Sequence, residues 1–183
     1  MLYIALLHYP AYNKEGKVVT TAVANMDIHD IARVAKTYAA QGFYIVNPIE
    51  EQRNLAQEIV SHWQDGYGAN YNKYRRAAFE LIIIKESLQC VIDDILKKTG
   101  FSPKIIVTGA NFSGDVLKFS EIRKLLKSNN LPYVIIFGTG SGIADEVINR
   151  SDFRLEPIKS PSDYNHLSVR SAVAIILDRI MSV

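Results

Sequence analysis

The sequence has few of the residues on which disulfide-rich, metal-binding or membrane-spanning proteins depend. Its only cysteine is Cys90, which excludes an internal disulfide and a zinc site built from several cysteines. The apolar run Leu2–Leu7 is too short for a signal peptide and lacks basic flanks. No run approaches the roughly 20 apolar residues that cross a bilayer. We therefore expect a cytoplasmic protein with no membrane segment and no metal site.

The chain also lacks a large excess of charge of either sign. Its 21 basic and 19 acidic side chains leave a net charge of +2. A uniformly basic nucleic-acid-binding surface is thus excluded, whereas a local basic patch stays possible. A length of 183 residues with 48% hydrophobic composition fits one globular unit, so we predict a single domain over residues 1–183.

Short apolar runs alternate with stretches of helical periodicity along the whole chain. The predicted strands are Leu2–Leu7, Phe43–Val46, Leu81–Ile84, Lys104–Thr108, Tyr133–Phe137 and Phe153–Glu156. The predicted helices are Asp27–Ala40, Glu50–Trp63, Arg75–Ala78, Ser87–Lys98, Ser120–Lys127 and His166–Met181, with N-caps at Asp27 and Ser120. This alternation predicts an α/β fold with a mainly parallel sheet of about six strands flanked by helices, and ligands at the carboxyl ends of the strands.

A glycine-rich loop, Gly138–Gly142, follows the fifth predicted strand. A dinucleotide-binding loop has the spacing G-x-G-x-x-G and follows the first strand, so both spacing and position argue against a Rossmann oxidoreductase. The P-loop pattern is absent from the sequence as well. Two interpretations are left: a tight strand-to-helix turn, or a loop that admits a ligand close to its backbone.

The segment Tyr164–Arg170 precedes and opens the last predicted helix. Either Asn165 or Ser168 would suffice as the helix cap. The same seven residues also carry imidazole, hydroxyl and guanidinium groups that a cap does not need. Together with the glycine-rich loop, this surplus predicts a cofactor site in the C-terminal third of the chain.

Three segments resemble the motifs of the SPOUT superfamily, the α/β-knot RNA methyltransferases that use S-adenosylmethionine. Asn25–Arg33 is similar to the first motif of that family. Phe137–Ile143 resembles the second, and Leu155–Ile158 with Tyr164–Ala172 resembles the third. The order and approximate spacing of the motifs match across most of the chain.

The resemblance implies a C-terminal deep trefoil knot, a homodimer, S-adenosylmethionine as cofactor and structured RNA (tRNA or rRNA) as substrate. Backbone groups would recognise the adenine, and Ile158 and Leu167 would supply apolar contacts. The cofactor-binding residues that it implies are Thr108, Gly109, Ala110, Gly138, Thr139, Gly140, Glu156, Pro157, Ile158, Tyr164, Asn165, Leu167 and Ser168.

The resemblance also implies that Arg33 holds the RNA and helps to activate the attacking group. The alternative for Arg33 is a solvated helix face or an ion pair with Asp30, three residues before it. His166, Asp163 and His29 are all candidates for the general base, because methyl transfer needs an acceptor that can lose its proton.

Candidate RNA contacts come from two segments: Asn25 and His29 in the first motif, and Tyr71, Arg75 and Arg76 in the segment from His62 to Arg76. The second segment interleaves aromatic and basic residues, a pattern suited to unpaired bases and phosphates. The alternative is a loop whose tyrosines pack against the sheet edge. For the whole chain, the alternative function is a non-catalytic α/β domain that binds a nucleotide or RNA within a larger assembly.

Overall fold

The predicted six-stranded sheet is present in the computed structural model, which describes residues 1–182. Its strands are β1 (Leu2–Leu7), β4 (Gly42–Val46), β5 (Ile82–Lys85), β6 (Lys104–Val107), β7 (Tyr133–Gly138) and β8 (Phe153–Arg154), in the order β5-β4-β1-β7-β6-β8. All five pairings in this sheet are parallel. Two further strands, β2 (Ala11–Tyr12) and β3 (Val18–Val19), form a small antiparallel hairpin that the sequence did not predict.

In the described part of the chain, residues 1–182, eight helices accompany the strands. They are α1 (Asn25–Thr37), α2 (Glu50–Gln64), α3 (Tyr67–Tyr71), α4 (Lys73–Phe79), α5 (Leu88–Thr99), α6 (Phe119–Ser128), α7 (Asp145–Ile148) and α8 (Val169–Met181). One face of the sheet packs against α1, α2, α4, α6 and α8, and the other against α5 and α7. Along β1, Ile4 and Leu6 face the first layer while Ala5 and Leu7 face the second. Burial on both faces explains why β1 is a continuous apolar run.

Several predicted boundaries are wrong by a few residues. Helix α1 starts at Asn25 with Ala24 as its N-cap, so Asp27 lies inside the first turn. Ser120 lies inside α6 and is not its cap. The last helix starts three residues later than predicted, and Ser168 is its N-cap, accepting a hydrogen bond from the Ser171 N–H at 3.3 Å. The residues from His166 to Ser168 are therefore part of the loop that joins β8 to α8.

The chain beyond β8 runs between the two limbs of the loop that joins β6 to α6. The Leu155 N–H donates to the Val107 carbonyl at 2.9 Å, on the limb that leaves β6. On the opposite side, the Leu117 N–H donates to the Arg154 carbonyl at 2.8 Å, and the Glu156 N–H donates to the Leu117 carbonyl at 2.9 Å. These bonds hold the segment that follows β8 beside the carboxyl end of β6.

Among residues 1–182, no helix is both long enough and apolar enough to cross a membrane.

Candidate functional site

A cleft of about 1000 Å³ lies at the carboxyl edge of the sheet. The loops after β6 and β7 and the loop that joins β8 to α8 meet around it. Of the predicted cofactor-binding residues, those that line the cleft are Thr108, Gly109, Ala110, Gly138, Thr139, Gly140, Glu156, Pro157, Ile158, Asn165, Leu167 and Ser168. Tyr164 is not in the lining; it is largely exposed, and its ring meets the His166 ring edge-on at 5.3 Å.

The glycine-rich loop is held by close backbone approaches. Gly140 has a φ of +61°, and a Cβ there would lie 2.7 Å from the Tyr12 carbonyl oxygen. At Gly138 a Cβ would lie 2.6 Å from a side-chain carbon of Ile143. Both positions therefore require glycine for the chain's own packing. Within residues 1–182, the N–H of Gly140 makes no hydrogen bond, so it is available to a ligand.

Glu156 and Asn165 fix the other loops of the cleft. A Glu156 carboxylate oxygen accepts the Phe119 N–H at 2.8 Å, which ties the loop after β8 to the start of α6. The Asn165 side-chain amide donates to the Ile158 carbonyl at 3.2 Å, which ties together the two ends of the loop that joins β8 to α8. These contacts preorganise the predicted cofactor loops.

A buried polar network that sequence reasoning missed lies beneath the glycine-rich loop. The Thr139 hydroxyl donates to the Leu7 carbonyl at 3.0 Å and contacts the Thr21 hydroxyl at 2.5 Å. Thr21 in turn lies 2.9 Å from Nδ1 of His8, a side chain with no exposed surface. Burial lowers the pKa of His8 to about 4, so its imidazole is neutral at pH 7.

Asp27 also lines the cleft, a role that sequence reasoning did not give it. Its carboxylate accepts a hydrogen bond from Arg170 at 3.2 Å, and Arg170 also lies 3.5 Å from Asp30. Burial raises the pKa of Asp27, and the charge of Arg170 partly opposes that shift. The cleft thus holds a half-buried carboxylate that is fixed by a guanidinium from α8. This carboxylate takes up a proton more readily than a fully solvated aspartate does.

The predicted catalytic side chains are dispersed over the protomer. Only His166 lines the cleft, while Asp163 is exposed and lies outside the lining. Arg33 is exposed and also lies outside the lining. The ion pair suggested as an alternative for Arg33 is absent, because Asp30 pairs with Arg170 and no carboxylate of residues 1–182 forms an ion pair with Arg33.

His29 lies in a second, smaller cavity of about 360 Å³, lined by Asn25, His29, Glu58, Ile59, His62 and Trp63. Its ring packs 4.8 Å from the Phe79 ring and 5.4 Å, edge-on, from the Trp63 ring. Burial and the nearby charge of Arg75 lower the pKa of His29. The two predicted RNA contacts of the first motif, Asn25 and His29, therefore share one cavity apart from the main cleft.

The other predicted RNA contacts lie on α3 and α4: Tyr71 ends α3, where the sequence suggested a loop, and Arg75 and Arg76 lie on α4, which confirms the helix predicted there. Tyr71 is 76% exposed, which contradicts the alternative that these tyrosines pack against the sheet edge. The Arg75 guanidinium lies 4.5 Å over the Trp63 ring. Arg76 makes one exposed 3.9 Å contact with Glu80.

Comparison with known proteins identifies the chain's relatives. A family model described as SAM-dependent RNA methyltransferase matches residues 1–182. A tRNA (guanine-N(1)-)-methyltransferase of Oleidesulfovibrio alaskensis is 43% identical over 98% of this chain, but the match covers only 42% of that protein. An uncharacterized protein of Aquifex aeolicus is 42% identical over 99% of this chain and 88% of its own length.

The fold also matches solved structures of methyltransferases. The SpoU methyltransferase AviRb from Streptomyces viridochromogenes, in complex with AdoMet, superposes with a TM-score of 0.59. That match covers 99% of this chain and 56% of AviRb, at 13% sequence identity. At this identity the likeness concerns the fold alone, and it confirms the predicted SPOUT-like α/β architecture. From the family match along nearly its whole length, the chain belongs to the S-adenosylmethionine-dependent RNA methyltransferases, as its motifs predicted.

Proposed function

We propose that this chain methylates tRNA, with S-adenosylmethionine bound in the cleft at the carboxyl edge of the sheet. The observation that carries the proposal is the convergence of three loops, those after β6 and β7 and the one that joins β8 to α8, on one cleft of about 1000 Å³. Its volume is at the upper end of the range typical of cofactor sites. The tRNA substrate is proposed from relatives at 40–43% identity that are named tRNA (guanine-N(1)-)-methyltransferases.

The guanine N1 specificity in those names is not part of the proposal. The chain spans 42% of the length of these curated relatives, so more than half of each lies outside the match. By contrast, the Aquifex aeolicus relative is matched over 88% of its length. The matched unit thus occurs both with and without a large additional segment. The guanine N1 specificity is therefore not assigned to the matched unit.

The cleft residues fit the cofactor by chemistry and by shape. Ile158 and Leu167 offer apolar surface to an adenine ring, and the N–H of Gly140 makes no hydrogen bond to any described residue and can donate to a ligand. When bound, S-adenosylmethionine supplies an electrophilic methyl group on a sulfonium centre. The protein's part is to hold the acceptor in line with that group and to accept a proton from it.

Asp27 is the side chain that we assign as proton acceptor. It lines the cleft, is carried by a regular helix and is oriented by Arg170, as a general base requires. His166 lines the same cleft, but its loop is exposed and, within residues 1–182, no hydrogen bond orients its ring. Asp163 lies outside the lining. Of the general bases predicted from the sequence, His166 is therefore the one that lines the cleft as Asp27 does.

We further propose that Arg33 acts in the cleft of a second copy of the chain. Arg33 is exposed and lies outside the cleft of its own protomer, so a homodimer is needed to bring it to the reacting groups.

The C-terminal knot is proposed from the course of the chain after β8. Leu155 and its neighbours hydrogen-bond to both limbs of the loop between β6 and α6, the arrangement expected if the C-terminal segment is threaded through that loop. A cytoplasmic location follows from the proposed substrate.

Isothermal titration calorimetry with S-adenosylhomocysteine, beside NAD, tests the cofactor assignment. We expect saturable binding of S-adenosylhomocysteine and none of NAD. Transfer of radiolabelled methyl groups from S-adenosylmethionine to bulk tRNA, with bulk rRNA in parallel, then tests the substrate. Absence of sulfur-cofactor binding would refute the cofactor assignment, and binding without transfer to either RNA would favour the non-catalytic alternative.

A further inference from the structure

Three tyrosine rings stand out from the surface between α2 and β5. Tyr67, Tyr71 and Tyr74 are 77%, 76% and 92% exposed. Three large rings exposed to this extent within eight residues form an unusual surface for a folded domain, and such exposure marks an interaction site. We call this region, with Lys73, Arg75 and Arg76, the tyrosine surface.

The tyrosine surface is built on a packed base. Gly68 lies so close to Trp63 that a Cβ at that position would be 2.6 Å from the indole ring. Ala69, its neighbour, is only 4% exposed, so the inner side of α3 is buried. The rings of Tyr67 and Tyr71, one turn apart on the outer side, are nearly parallel, with an interplanar angle of 21° and centroids 6.1 Å apart. Two flat rings are therefore presented to solvent in a stacked orientation.

Three basic side chains of α4 follow this pair of rings in the chain. Within residues 1–182, the side chains of Lys73 and Arg75 form no ion pair, and the buried Nε of Arg75 has no hydrogen-bond partner. The Arg75 guanidinium lies over Trp63, whose ring also lines the cavity that contains His29. Burial and then the charge of Arg75 lower the pKa of His29, so Arg75 also acts on that cavity. The tyrosine surface and the second cavity thus meet at Trp63 and form one aromatic region, with basic side chains on α4 and the carboxylate of Glu58 in the cavity wall.

We propose that this region binds an unpaired segment of the RNA substrate. Bases would stack on Tyr67 and Tyr71, phosphates would lie against Lys73 and Arg75, and the cavity beside Trp63 would take one base that is turned away from the strand. Aromatic stacking requires exposed base faces, which a duplex hides between neighbouring base pairs. A duplex would contribute only its phosphates, so the exposed rings favour a single-stranded ligand.

This inference rests on the proposed function in one respect, namely that the ligand is RNA. It does not require the cleft to be active, and the two ideas are separable by experiment. The matched control is Phe101→Ala, because Phe101 is also a largely exposed aromatic residue, at 55%. It lies between α5 and β6, at the amino end of the strand, whereas the cleft lies at the carboxyl ends of the strands.

Fluorescence anisotropy with the full chain tests the proposal, using a labelled 12-nucleotide single-stranded RNA, a blunt RNA duplex of the same length, and bulk tRNA. Tyr67→Ala and Tyr71→Ala should each weaken single-strand binding by about five- to a hundredfold, the usual effect of losing one stacking ring. The duplex should bind weakly and be insensitive to both changes. Tyr71→Phe, which keeps the ring, and Phe101→Ala should bind as the unaltered chain does, and each variant should keep its affinity for S-adenosylhomocysteine.

The outcomes separate the two ideas. If the unaltered chain binds S-adenosylhomocysteine but no RNA, the proposed RNA substrate fails. If it binds RNA and Tyr67→Ala and Tyr71→Ala bind equally well, the proposed function stands and the tyrosine surface is not the RNA site. If these two variants instead change the sedimentation coefficient of the protein and leave RNA affinity intact, the surface contacts another protein chain and the proposal is overturned. Ultraviolet cross-linking of the 12-nucleotide RNA to Tyr67 or Tyr71 would support it independently.

Discussion

Asp27 and Arg170 join the first helix to the last across 143 positions of sequence, with 3.2 Å between the carboxylate oxygen and a guanidinium nitrogen. Both side chains are mostly buried, at 14% and 29% exposed. Asp27 faces the cleft, so the pair links the packing of α8 to the acidity of a group in the candidate site. Its removal should therefore alter both stability and pH dependence.

We expect Arg170→Ala to lower the free energy of unfolding by about 1–3 kcal/mol at pH 7, because a half-buried carboxylate loses its hydrogen-bonded partner. Loss of the opposing charge should raise the pKa of Asp27 further. A folded-state pKa above the unfolded value means that the folded protein binds the proton first, so the deficit should shrink as the pH falls from 7 towards 4. Urea unfolding at several pH values measures this. Relative to Asp27→Asn, the double variant Asp27→Asn/Arg170→Ala should show a deficit that does not change with pH, because Asp27 no longer titrates. A deficit of Arg170→Ala that is equal at every pH would contradict the account.

His8 should make the protein less stable in mild acid. Its pKa is lowered to about 4 by burial, against about 6.5 when unfolded. The contribution of neutral His8 to the free energy of unfolding is fully present above pH 6.5. It is lost between pH 6.5 and pH 4, by about 3 kcal/mol in total, since only the unfolded chain takes up the proton in that window. His8→Gln should remove most of this slope even if the variant is less stable at pH 7. His62→Gln is the control, because it removes an imidazole from the exposed surface of α2.

Gly140 should tolerate no side chain. Its positive φ costs an L-residue about 1–2 kcal/mol, and a Cβ would additionally press on the Tyr12 carbonyl oxygen at 2.7 Å. Gly140→Ala should therefore lose affinity for S-adenosylhomocysteine as well as stability. Gly100→Ala is matched for strain, because Gly100 has a φ of +78° with nothing within 4 Å of its Cβ position. Calorimetry and urea unfolding should show loss of stability for both variants and loss of binding for Gly140→Ala alone.

The cleft was predictable from sequence because its components lie in loops marked by glycine and by polar residues after buried strands. Gly138 and Gly140 follow an apolar run and therefore indicate a turn. Ser168 is of a residue type that is typical of helix N-caps. Asp27 was missed because acidic residues at a helix start are explained locally as caps, whereas its actual partner, Arg170, lies 143 residues away. The network of His8, Thr21 and Thr139 could not be predicted either, because no pattern in the local sequence indicates which hydroxyl will lie beneath a loop that is distant in the chain. The start of α3 was missed because Gly66 and Gly68 are typical of turns, and packing against Trp63 overrides that preference.

Arg33 provides a test of the dimer. If Arg33 completes the cleft of a second copy, a chain carrying Arg33→Ala and a chain carrying Gly140→Val should each be inactive alone. Random mixing should restore roughly a quarter of the normal methyl transfer, because half of the dimers are mixed and each has one complete site. Methyl transfer to bulk tRNA after co-refolding measures this. No recovery, with dimers confirmed by sedimentation, would place Arg33 outside the partner's cleft.

Asp27→Asn should separate proton acceptance from cofactor binding. The amide keeps the shape of the side chain but cannot accept a proton, so methyl transfer should fall by about 10²–10⁴-fold while affinity for S-adenosylhomocysteine persists. In the unaltered enzyme, activity should decline as Asp27 becomes protonated, beginning above the pH range of an ordinary aspartate because burial raises its pKa. Single-turnover rates from pH 4 to 8 measure both effects. His166→Gln is the comparison, because His166 also lines the cleft but is held by no hydrogen bond within residues 1–182. We expect that variant to keep the acid-side decline, whereas full activity in Asp27→Asn together with loss in His166→Gln would assign the proton to His166.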